Sequence, residues 1–95
     1  MVLEHALFIV DKQRQADFEA AFREARILLS SSPGCLSVSM AHGIEDEERY
    51  LLLVEWESID AHLVGFRGSP AYTKWRELLG PHYRDAPVVE HYNLA

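Results

Sequence analysis

Residues 50–57, YLLLVEWE, would be apolar on both sides of a β-strand. Side chains alternate along a strand, so Leu51 and Leu53 oppose Tyr50, Leu52, Val54 and Trp56. Residues 2–10, VLEHALFIV, repeat the pattern: Leu3, Leu7 and Ile9 on one side, Val2, Ala6, Phe8 and Val10 on the other. An antiparallel sheet with one wet face alternates apolar with polar residues. These strands do not, so both faces of their sheet need cover. A chain of 95 residues builds only a thin core and has helices enough for one face. A second copy of the same sheet is the simplest cover for the other, and the expectation is a homodimer joined through sheet faces.

The remaining segments supply the rest of one domain, residues 1–95. Residues 13–30 read as a helix with an apolar stripe of Phe18, Ala21, Phe22, Ala25 and Leu28. Ser30-Ser31-Ser32-Pro33-Gly34 stops it. Residues 35–42, CLSVSMAH, read as a strand with Leu36, Val38 and Met40 on one side. A charged turn follows from Gly43 to Arg49. Ser58 is an N-cap candidate for a short helix through about Phe66, with Ile59, Leu63 and Phe66 on one face. Gly65 and Gly68 break it. Ser69-Pro70 starts another helix, whose stripe is Tyr72, Trp75 and Leu79, and Gly80-Pro81 stops it. Residues 87–94, PVVEHYNL, read as the last strand. The order β-α-β-β-α-β, with the second helix split, predicts a ferredoxin-like α+β fold: a four-stranded antiparallel sheet with helices on one face.

Composition narrows the partners. Fifteen acidic residues against nine basic ones argue against nucleic acid, which demands clustered cations. Arg23 and Arg26 form the one local basic grouping and read as solvated helix surface. The four acids Glu45 to Glu48 read as a solvated turn. No apolar run approaches the length of a membrane span, and the first residues read as a strand rather than a leader. Cys35 is the only cysteine, so no internal disulfide forms, and a reducing cytoplasm is the expected compartment.

Few residues carry candidate chemistry. His62 could act as a base or a hydrogen-bond partner, because histidine titrates near neutrality; the plainer reading is a half-buried ring with one hydrogen bond. Tyr72 and Trp75, three apart on a helix, fit either a core or the walls of a pocket for a flat ligand. His5 and His91 fall on neighbouring strands beside Glu4 and Glu90, but each histidine faces away from its adjacent glutamate. No metal-ligand spacing, phosphate loop or nucleophile elbow is present, so neither metal nor cofactor is expected.

In sequence order the chain carries Pro33-Gly34-Cys35-Leu36, Glu55-Trp56-Glu57, His62, Ser69-Pro70-Ala71-Tyr72 with Trp75, and Val89-Glu90-His91-Tyr92. This order and spacing resembles the antibiotic-biosynthesis-monooxygenase domain, a dimeric α+β barrel family, over nearly the whole chain. The resemblance implies cofactor-free oxygenation of a quinol, phenol or anthrone, in which a deprotonated aromatic substrate reacts directly with oxygen. It implies a cavity between the sheet and its own helices. There His62 and His5 would be the catalytic candidates, and Trp56, Phe66, Tyr72, Trp75 and Tyr92 would bind the substrate. Haem-degrading relatives in the same superfamily place an iron-ligating histidine where this chain has roughly Arg76. Relatives that isomerise phosphorylated sugars need a cationic cluster, and none is evident in the sequence. A reading from another class is a non-catalytic dimeric module that binds a small apolar ligand.

Overall fold

In the computed structural model, which describes residues 1–95, the alternation in the strands resolves into an inner and an outer sheet face. The strands are β1 (Val2–Ile9), β2 (Cys35–His42), β3 (Arg49–Trp56) and β4 (Arg84–Asn93). They form one antiparallel sheet in the order β2-β3-β1-β4. Ala6, Phe8 and Val10 on or just after β1 are buried on the inner face with Tyr50, Leu52, Val54 and Trp56 of β3. Leu3, Leu7, Leu51 and Leu53 stand on the outer face, which nothing in this chain covers. This is the ferredoxin-like arrangement expected from the order of elements. No helix is long and apolar enough to cross a membrane.

Two helices pack on the inner face. In α1 (Gln15–Ser30) the buried stripe is Phe18, Ala21, Phe22, Ala25 and Leu29. Leu29 replaces the expected Leu28, because 18, 22, 25 and 29 stay aligned at 3.6 residues per turn. In α2 (Pro70–Leu79), Trp75 and Leu79 are buried and Tyr72 half-buried, as the stripe predicts. Ser69 precedes Pro70 in extended conformation, but its hydroxyl donates to the Phe66 carbonyl at 2.6 Å instead of capping α2.

Three irregularities escape the sequence pattern, and two of them shape the site. The short helix is wound as a π-helix over Ala61–Phe66. Its signature is the bond from the Arg67 N–H to the His62 carbonyl, 3.0 Å, five residues back. His62 and Phe66 therefore face inward, while Ile59 and Leu63, expected inside, are exposed. A bulge between β1 and β4 pairs Leu7 with Val88 but Ile9 with Arg84, so four steps along β4 match two along β1. Asp85 within it has φ 61. A second bulge pairs Cys35 with Trp56 and Ser37 with Glu55. It leaves Leu36 unmatched and 49% exposed, out of phase with buried Val38.

The Pro33-Gly34 turn holds the π-helical segment in place. Gly34 has φ +85, and a Cβ there would stand 2.7 Å from the Cβ of Ala61. Only glycine combines that backbone with so close an approach, and Ala61 immediately precedes His62.

Candidate active site

A cavity of about 490 Å³ opens between the inner sheet face, the π-helical segment and α2. That volume lies within the roughly 300–1,000 Å³ usual for small-molecule sites. Ala6, Phe8, Leu52 and Val89 form its floor, and Phe66, Tyr72 and Trp75 its walls. The rings meet edge to face: Phe66 with Tyr72 at 5.7 Å and with Trp75 at 6.4 Å between centroids. Such contacts hold the walls rigid without filling the space between them. The β4 bulge supplies part of the rim through Asp85, Ala86 and Pro87.

Glu4 and His62 form the polar end of the cavity, and with Trp56 and His91 behind them they make a chain of four side chains from four elements. Trp56 on β3 donates its Nε1–H to Glu4 Oε1 on β1 at 2.9 Å. His62 Nε2 lies 3.4 Å from the same oxygen. His62 Nδ1 shares a 2.8 Å hydrogen bond with His91 Nε2 on β4. The Trp56 indole stacks on the His62 ring at 5.2 Å and 16°. Register explains the assembly, because Glu4 pairs across the sheet with Val54 on one side and His91 on the other. Neighbours in register share a face, so Glu4 and His91 both point inward, and the π-winding lowers His62 onto them. The donors string out along opposite edges of the His62 ring and do not converge on a point where a metal could sit.

Burial sets the protonation states. Glu4 is 4% exposed and His62 3%. Desolvation raises the Glu4 pKa, against the opposing pull of the Trp56 N–H and the Arg67 charge. Desolvation, then Arg67, then His91 push His62 down to about 4. His91 is lowered by burial and by Arg67. At neutral pH both rings are uncharged, and a proton reaching the pair rests on Glu4 rather than His62. An ionised Glu4 favours the proton of neutral His62 on Nε2, so that Nδ1 accepts from the His91 Nε2–H.

These shifts predict a pH dependence of stability. A histidine whose pKa falls on folding binds protons more readily in the unfolded chain. Its contribution is complete above about pH 6.5 and drains away as pH falls towards 4. His91 has the same sign. Glu4 has the opposite sign, because its raised pKa makes the folded state take up its proton at higher pH than the unfolded chain does. The loss from His62 reaches up to about 3 kcal/mol, at 1.36 kcal/mol per pKa unit, before Glu4 offsets part of it. Melting temperatures should hold between pH 8 and 7 and fall below 6.5, with a shallower fall in His62→Gln. Equal slopes in the two proteins would contradict the burial of this ring.

Of the residues proposed from sequence, Phe66, Tyr72, Trp75 and His62 come together around the cavity. Trp56 does not line it; fully buried, it stands behind His62 and Glu4. His5 and Tyr92 lie on the outer sheet face, where their rings meet edge to face at 5.7 Å, so the expectation that they line this cavity is corrected. Strand parity puts His5 opposite Glu4, and the helices cover the Glu4 side. Sequence reasoning passed over Glu4 and His91 by asking only whether each shared a face with its adjacent residue. The useful signal was that Glu4 and His91 share a face with each other. Cys35 is half-buried, and its thiol pKa is raised by desolvation and by the Glu4 charge, which leaves it unactivated.

Residues 1–78 match the family model of the antibiotic biosynthesis monooxygenases. The uncharacterized protein YczJ of Bacillus subtilis (strain 168) is 40% identical over 92 residues, which cover 97% of each chain. A Bordetella bronchiseptica crystal structure, described as a candidate antibiotic biosynthesis monooxygenase, superposes with a TM-score of 0.95. It is 38% identical, over 99% of this chain and 96% of that one. SnoaB, a cofactor-independent oxygenase from Streptomyces nogalater, shares the fold with a TM-score of 0.84 at 16% identity, over 99% of this chain and 92% of its own. The family match over most of the chain and two near-full-length relatives agree with the geometry, and this chain belongs to the antibiotic biosynthesis monooxygenase family.

Proposed function

We propose that the protein is a cofactor-free monooxygenase acting on a small aromatic substrate of the quinol, phenol or anthrone kind. The observation that carries this reading is a buried carboxylate, Glu4, at the end of an aromatic-walled cavity, with its pKa raised and its orientation fixed by Trp56. A general base works best when its pKa is brought towards the working pH, and burial does this for Glu4. Glu4 takes a proton from the substrate, and the resulting aromatic anion is electron-rich enough to react with molecular oxygen. For an anthrone-like CH2, a carbon–oxygen bond forms to give a hydroperoxide. Loss of water then leaves a carbonyl, with one oxygen atom in the product and one in water. The buried Glu4 end of the cavity keeps solvent from the reacting edge, and the aromatic walls hold the ring in place. His62 and His91 position Glu4 and link it to the half-exposed edge of β4.

The test is incubation of a quinol and anthrone panel with and without oxygen, followed by product mass analysis under labelled oxygen gas. One labelled atom per product, formed only aerobically, is the expected result. Tight binding with no oxygen-dependent product from any panel member would leave the non-catalytic ligand-binding module in its place. The reading also keeps the protein in a reducing cytoplasm, which suits a chain with a single thiol.

We further propose that a second copy covers the outer sheet face. Leu3, Leu7, Leu51 and Leu53 lie there half-buried, and His5 Nδ1 is buried with no hydrogen-bond partner. Light scattering at micromolar concentration should give about twice the 10.9 kDa chain mass. A stable, well-folded 10.9 kDa species would overturn this.

A further inference from the structure

The sequence shows no cationic cluster, but the fold makes a pair of cations at one cavity. Arg67 and Arg76 both line it. They arrive by different routes. In an α-helix, residues five apart stand about 140° from each other around the axis. The five-residue bond between His62 and Arg67 removes most of that offset and brings Arg67 to the cavity with His62. Arg76 follows Trp75 on α2, with its guanidinium carbon 5.7 Å from the centroid of the Tyr72 ring. Cation–π attraction there orients it along the aromatic wall.

Neither guanidinium is committed within the chain. Arg84 pairs with Asp11 and Glu48, and Arg26 donates to the Val38 carbonyl. Arg67 and Arg76 form neither a salt bridge nor a side-chain hydrogen bond, although Asp85 lines the same cavity. Two uncommitted cations at one aromatic-walled cavity, in a chain of net charge −6, suit an anionic ligand.

We propose that the ligand of this cavity is an aromatic compound bearing an anionic group, a carboxylate or a phosphate ester, held by Arg67 and Arg76 at the rim. The inference rests on the reading of this cavity as the substrate site. Guanidinium groups present paired N–H donors that match two oxygens of either anion. The ring then lies against Phe66, Tyr72 and Trp75, with Glu4 and His62 at the polar end. Binding and base are coupled, because Arg67 opposes the rise in the Glu4 pKa. An anion seated on Arg67 offsets that charge and makes Glu4 more basic once the substrate is in place.

The test is calorimetric binding at pH 7 of three probes of similar size: 2-naphthol, 3-hydroxy-2-naphthoate and 2-naphthyl phosphate. The proteins are wild type, Arg67→Gln, Arg76→Gln and the double variant. Both arginines are exposed, so the variants should fold, with thermal melts as the check. Wild type should bind at least one anionic probe about tenfold or more tighter than naphthol. Each single variant should lose much of that preference and the double variant nearly all, with naphthol affinity held within about threefold. The two anionic arms decide between carboxylate and phosphate. Equal or tighter binding of naphthol, no detectable binding of either anionic probe, or a preference that survives in the double variant would overturn the proposal. No oxygen or turnover is needed. Arginine-dependent binding of these probes together with no oxygen-dependent product from any quinol or anthrone of the panel would end the monooxygenase reading alone, and oxidation of neutral quinols without anion preference would end this one alone.

Discussion

Replacing Glu4 with glutamine should lower aerobic turnover by about 10²- to 10⁴-fold, the span of a positioned general base. Glutamine preserves the size of the side chain and an oxygen that can still accept from the Trp56 N–H, but it cannot take the substrate's proton. Melting temperature should change little, since a neutral amide costs less to bury than a carboxylate. Ligand affinity should also hold. His62→Gln tests the other candidate. His62 is depressed to about 4, a weaker base than Glu4 beside it, and its Nδ1 is already bonded to His91. Its loss should cost about tenfold by loosening Glu4. Turnover in the wild type should rise with pH through the raised pKa of Glu4, and in Glu4→Gln that rise should disappear. A hundredfold loss in His62→Gln with normal turnover in Glu4→Gln would return the base to His62.

Trp56→Ala should remove most of the stability of the fold. Trp56 is fully buried, and truncating such a side chain costs about 3–5 kcal/mol. The change also strips Glu4 of its N–H donor, and a buried polar group left without its partner adds about 1–3 kcal/mol. Domains of this size hold only about 5–15 kcal/mol in total. At roughly 4–8 °C per kcal/mol, the melting temperature should fall by more than about 15 °C. Trp56→Phe separates the two effects. It keeps most of the ring volume and a stacking partner for His62, so only the hydrogen bond is lost. The expected cost is about 1–3 kcal/mol. With the donor gone, the Glu4 pKa climbs further, and the pH–rate profile should move to higher pH. An unmoved profile would show that Glu4 does not set the rate. Trp75→Ala should instead cut aromatic ligand affinity along with stability, because Trp75 lines the cavity and Trp56 does not.

Much of the fold was legible because strand alternation and helical periodicity are local. Residues 35–42 match β2 residue for residue, residues 2–10 overrun β1 by one position at its end, and residues 50–57 are offset from β3 by one position at each end. The split of the second helix follows from Gly65, Gly68 and Pro70. The last strand begins three residues earlier than expected, because the β4 bulge lets Arg84 pair with Ile9 beyond a left-handed Asp85 that no alternation pattern anticipates.

The sequence by itself determined that Glu4 and His5 point to opposite sheet faces, and that Tyr72 and Trp75 share a helix stripe. It could not say which sheet face the helices cover, because both faces of β1 and β3 are apolar and either satisfies the pattern. That choice decides the site. It puts Glu4 and His91 inside and leaves His5 and Tyr92 outside, and it follows from long-range packing of α1 and α2 on Ala6, Phe8 and Tyr50. The π-winding of Ala61–Phe66 was equally hidden. A single extra residue in one turn leaves composition unchanged, yet it rotates His62, Phe66 and Arg67 towards the cavity and Leu63 away from it. Local periodicity fixes which side chains travel together; only the tertiary contacts decide what they meet.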